Sequence, residues 1–187
     1  GCEPRRCTWD FRAMDVKVLN FMKSVVWPET TILQVTGNSL PAWWVRPGAA
    51  NSSLRDPSGV TLGKYLARVL DWYQKGGFTD EDGVYHHSGH NLTFGYIEIL
   101  NEWDANAHLA HPDWASEPSI LANIRRYISI YDGATRVIRR HHPRIKFLGA
   151  CSGGVHPEHN SIYWRTFLNQ SEHAPGTPVS NIDSSIF

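Results

Sequence analysis

The sequence predicts an α/β fold with a parallel sheet of the (β/α)8 barrel type, and three observations carry that expectation. Hydrophobic periodicity alternates between helix-like and strand-like segments along the chain. Strands separated by helices imply parallel pairing. The segments that follow strands, 38–60, 103–118 and 151–160, are long, and long loops at strand C-termini are where a barrel builds its site. The right-handed crossover rule leaves an open doubly wound sheet as the other topology. No Gly-rich phosphate fingerprint follows any strand, which weakens that choice.

The elements follow in order. Asp10 is placed to cap a helix running to about Val26, with Phe11, Met14, Val18, Met22 and Val25 as its apolar stripe and Trp27-Pro28 as its stop. A strand reads Thr31 to Gly37. Thr61 is placed to cap a second helix with Leu62, Tyr65, Val69 and Tyr73 on one face, stopped by Gly76-Gly77. Residues 78–93 form a Gly- and His-rich connection whose length the barrel pattern does not explain. The clearest strand is Thr93 to Leu100, ending at Asn101-Glu102. The longest helix spans about Ser119 to His142, with Leu121, Ile124, Ile128, Tyr131, Thr135 and Ile138 as its stripe. Pro143 ends it, Ile145 to Ala150 is a strand, Ser161 to Glu172 a fourth helix, and a last strand begins near Asn181.

The 187 residues make one domain, 1–187. A complete barrel typically needs about 250 residues, and the chain begins at Gly1 and ends on the apolar Ile186-Phe187. An incomplete catalytic barrel is therefore expected. Lys+Arg and Asp+Glu balance at 18 each, which gives no electrostatic case for a nucleic-acid partner or an anionic membrane. No apolar run approaches the roughly 20 residues that span a bilayer. Three cysteines are too few for a disulfide framework. A Cys2–Cys7 bridge is possible, and Cys151 reads as packed rather than reactive. Sequons at Asn51, Asn91 and Asn169 give the expectation of a secreted or lysosomal glycoprotein.

Chemistry concentrates at Tyr96 to Asp104, YIEILNEWD. A strand ending in Asn-Glu places both side chains at the mouth of a barrel. Glycoside hydrolysis needs a protonated carboxylic acid beside the leaving oxygen, and a mouth lined by Trp desolvates such a Glu and raises its pKa. Asn101 is suited to a sugar hydroxyl. Glu98 lies four residues before Glu102, roughly 13 Å away on a regular strand. Retaining glycosidases need their pair about 5–5.5 Å apart, so Glu98 reads as a buried, hydrogen-bonded support. His86, His87 and His90, and His156 with His159, are close in sequence, but no carboxylate or Cys pattern completes a metal set. No Gly-x-Ser-x-Gly elbow is present.

The segment Ile97-Glu98-Ile99-Leu100-Asn101-Glu102 resembles the fourth barrel strand of clan A glycosidases, most closely glycoside hydrolase family 39, the β-xylosidase and α-L-iduronidase group. Supporting the likeness are Ser39-Leu40-Pro41-Ala42-Trp43 before it and, after it, Tyr127 and Tyr131 ahead of Pro143, the strand Ile145 to Cys151, Tyr163-Trp164, and Ile182-Asp183-Ser184-Ser185. Trp103 stands where that family usually has Pro, and Gly149-Ala150-Cys151 replaces Gly-Gly-Pro. The resemblance implies strands three to six of a TIM barrel with their helices. It implies a retaining O-glycosyl hydrolase acting on a carbohydrate, with no metal or other cofactor. Glu102 is then the general acid/base, Asn101 the sugar-hydroxyl partner, and Trp43, Trp44 and Trp103 candidate sugar platforms. That family's nucleophile is a Glu on the seventh strand, so the chain alone is expected to be inactive. The alternative is a carbohydrate-binding or degenerate barrel that does not hydrolyse.

Overall fold

The computed structural model describes residues 8–36, 43–45, 54–103, 116–151, 153 and 157–179. In chain order these form α1 (Arg12–Met22), a 3-10 turn (Pro28–Thr30), β1 (Ile32–Thr36), α2 (Val60–Gln74), β2 (Gly77–Thr79), β3 (Tyr85–His87), β4 (Tyr96–Asn101), α3 (Glu117–His141), β5 (Lys146–Leu148), α4 (Pro157–Phe167) and a second 3-10 turn (Gln170–Glu172).

β1, β4 and β5 make a three-stranded sheet in that order. Both pairs are parallel, with Leu33 opposite Ile97 and Ile97 opposite Phe147. Strand order therefore follows chain order, with a helix between each pair. The last expected strand, near Asn181, lies outside the described residues. α2 packs on α3 and α3 on α4. The close crossing of α2 and α3 depends on Gly63, where a Cβ would come within 2.8 Å of Ala134 backbone. The helices cover the face carrying Leu33, Ile97 and Ile99, all in the core cluster, and Arg139 of α3 lies over the Phe147 ring. On the other face, Ile32 is 47% exposed, and Gln34 and Lys146 are exposed too.

Several boundaries differ from the sequence expectations for local reasons. Asp10 accepts the Arg12 amide and pairs with its guanidinium, while Phe11 occupies the cap position with no side-chain bond. The helix stops at Met22, and none of its residues is fully buried. Thr61 does not cap α2. Gly59 holds that position at φ 74, and the carboxylate of Asp56 accepts the amides of Ser58 and Thr61 at 2.9 and 2.7 Å. The Gly- and His-rich connection is an antiparallel hairpin, β2 with β3. Its turn is held by Asp80, which accepts the amides of Asp82 and Val84.

Candidate active site

β4, the central strand of its sheet, ends in an irregularity. Gln34 of β1 faces Glu98, but Thr36 faces Asn101, so β4 carries one extra residue across that interval. Leu100 absorbs it with φ 56. Glu102, the first residue past the strand, has φ 53, and Ala150, at the end of the neighbouring β5 segment, has φ 54. These are the three non-glycine residues with positive φ among those described, and left-handed backbone costs about 1–2 kcal/mol at each. Such strain persists where surrounding contacts over-determine it, and it clusters at functional sites.

The contacts that do so are specific. The Glu102 amide donates to the Cys151 carbonyl at 2.9 Å. The Tyr127 hydroxyl, fully buried on α3, donates to the Ile99 carbonyl at 2.7 Å and accepts the Ala150 amide at 2.9 Å. Its phenol is pushed well above the ordinary range by burial. One side chain thus ties the irregular ends of two strands to the helix layer. Glu102 and Asn101 are both half-buried.

Glu98 is only 4% exposed. Its Oε2 accepts from Gln34 Nε2 at 2.9 Å, and its Oε1 has no partner of ordinary hydrogen-bond geometry. The Cys151 thiol lies beside it. That thiol is pushed up to about 12, by burial first and then by the Glu98 and Glu102 carboxylates. Two acidic side chains and a protonated thiol therefore share the strand end. The separation expected for Glu98 and Glu102 assumed a regular strand, and the left-handed Leu100 removes that premise.

The tryptophans need correction. Trp103 and Trp44 have no exposed surface. Trp103 Nε1 donates to the Asn123 carbonyl and Trp44 Nε1 to the Asp56 carbonyl. A ring with both faces packed cannot stack on a sugar, so neither serves as a platform in this arrangement. Trp43 is half-buried against Tyr65 and borders a cavity of about 200 Å³ with Trp9, Phe11 and Met14, none of which belongs to the strand ends. Loop position suggested ligand contact for Trp44 and Trp103, and tertiary packing buries both instead.

Of the clustered histidines, His87 is exposed beside the Tyr85 ring, and the other two have partners. His86 pairs with Asp80 at 2.7 Å, and His90 stacks on Tyr73. His156, and the His159 side chain, lie outside what is described, as do Cys2, Cys7 and Asn51. Among the described residues no group of three His, Cys, Asp or Glu is arranged to hold a metal ion, and no helix is long and apolar enough to cross a membrane. Sequence reasoning missed Tyr127 and Gln34 as members of the site. Gln34 had a legible signal, a polar residue in an otherwise apolar strand.

The chain matches no family model, no curated protein and no solved structure. The functional reading therefore rests on the strand-end geometry and on the sequence around it.

Proposed function

We propose that the chain carries the acid/base centre of a retaining O-glycosyl hydrolase built on a (β/α)8 barrel. The observation that supports this best is the position of Glu102. It is half-buried just past the C-terminal end of the central parallel strand, held in a left-handed conformation by its bond to Cys151. Barrel enzymes draw catalytic groups from that end of their strands. The one-sided helix layer and the strand order fit such a barrel.

In this reading Glu102 gives its proton to the departing glycosidic oxygen and later takes one from the attacking water. Asn101 holds a sugar hydroxyl as charge develops at the anomeric carbon. The nucleophile is a second carboxylate from another part of the barrel. Secretion, with Asn91 and Asn169 as exposed acceptors, belongs to the same proposal.

The test is a leaving-group series of aryl glycosides on the intact protein and its Glu102→Gln variant. Substrates with poor leaving groups, which depend on proton donation, lose the most rate, and activated ones lose little. An equal loss across the series, or none, removes Glu102 from the mechanism.

A further inference from the structure

The cavities beside Trp9, the paired histidines and the exposed apolar residues of α1 each have a structural account or no ligand-specific feature. The strand end does not. A carboxylate removed from water requires hydrogen bonds on both oxygens or a cation close by. Glu98 has one amide donor on Oε2 and a weak thiol donor alongside. Oε1 is unmatched, and among the described residues no salt bridge involves Glu98. Lys146, one row away on the same sheet face, has its ammonium over the Tyr96 ring. Glu102, the proton donor of the glycosidase reading, acts on the same thiol, so both acidic side chains lie close to Cys151 at the strand end.

We propose that the strand end carrying Glu98, with its unmatched Oε1, binds the ammonium group of a cationic sugar, so that the substrate class of this site is an amino sugar. This deepens the glycosidase reading and rests on it. An ammonium supplies the missing donor to Glu98 Oε1 and a charge of opposite sign. Inside a partly dehydrated site that attraction exceeds its value in water several-fold. A neutral hydroxyl supplies only the donor.

The experiment uses the isotope-labelled full chain titrated by NMR with glucosamine and, separately, with glucose, at a pH where the amine is charged. Glucosamine is expected to bind about tenfold tighter than glucose and to shift the Gln34 side-chain amide and the Glu102 backbone amide. Glu98→Gln, which keeps an acceptor for Gln34, is expected to erase the preference while leaving the thermal midpoint within a few degrees. If that variant is unstable, the wild-type shift of the Gln34 amide decides alone. Equal binding of both sugars, or a preference that survives in Glu98→Gln, overturns the ammonium assignment and leaves the carbohydrate reading standing. Absence of binding by either sugar overturns both.

Discussion

The hydroxyl of Tyr127 donates to the carbonyl of Ile99, from a helix into the last turn of a strand, at 2.7 Å. The same oxygen accepts the Ala150 amide, so one buried phenol replaces the ladder bonds that the irregular strand end gives up. Tyr127→Phe keeps the ring volume and removes both bonds. A buried polar group left unmatched costs about 1–3 kcal/mol, and two are stranded here. Urea unfolding is expected to show at least that loss. A change below about 0.5 kcal/mol, the scale of a neutral surface substitution, shows that the two strand ends do not depend on the phenol.

Relief of backbone strain gives the opposite sign. Glu102 has φ 53 and is not in the core. Glycine adopts that conformation freely, though it gains more freedom on unfolding. The net expectation for Glu102→Gly is a rise of up to about 1 kcal/mol in stability together with loss of proton donation. A destabilised Glu102→Gly shows that the side chain contributes more to folding than the strain costs.

Acid sensitivity should centre on Asp71. Burial pushes its carboxyl up, but His142 at 3.0 Å and Lys75 at 2.7 Å pull it further down, so it lies below the ordinary 3.8. A carboxyl depressed in the folded state contributes stability above its unfolded pKa and loses it as pH falls through the folded value. The urea midpoint of the wild type is therefore expected to drop from about pH 4 downward. Asp71→Asn is expected to be less stable at neutral pH with a flatter acid limb. Parallel acid limbs in the two proteins exclude this pair as the source.

Cys151 should resist alkylation. Its thiol moves from 9.0 to about 12, and only the thiolate reacts. At pH 8 the thiolate fraction is about a thousandfold below that of an ordinary cysteine. Iodoacetamide labelling of the Cys151 peptide, read by mass spectrometry, is expected to be slow in the native protein and fast in urea. Glu98→Gln, which removes one of the two carboxylates, is expected to speed it. Fast native labelling contradicts the crowded, anionic setting.

Helix Gly133 sets two effects against each other. Alanine in a helix interior gains about 1 kcal/mol over glycine. A Cβ at Gly133, however, falls 1.8 Å from the Ser58 carbonyl oxygen, and overpacking of this kind costs about 1–3 kcal/mol or more. Gly133→Ala is expected to lower the thermal midpoint. A higher midpoint shows that the segment before α2 shifts aside at little cost.

The long apolar stripes were legible in the sequence because each is set within its own segment. Ile124, Ile128, Tyr131, Thr135 and Ile138 are all buried on α3, and Leu62, Val69 and Tyr73 on α2. The strand ending at Asn101-Glu102 was legible as well, since β4 runs from Tyr96 to Asn101. What stayed hidden depends on neighbours distant in sequence. The extra residue at Leu100 appears only when β1 is laid beside β4. The packing of Trp44 and Trp103 appears only when Asp56 and Asn123 supply carbonyls to their indoles. The hairpin of β2 and β3 left a partial signal, the Asp82-Gly83 pair between Phe78 and Tyr85, masked by the histidines around it.

The pairing of strands in the order of synthesis, with neighbouring helices side by side, has an evolutionary corollary. A further helix–strand unit added at a border of the sheet needs no rethreading of what is already folded. Duplication or loss of whole units can change the width of such a sheet while Asn101 and Glu102 stay at the end of the same central strand.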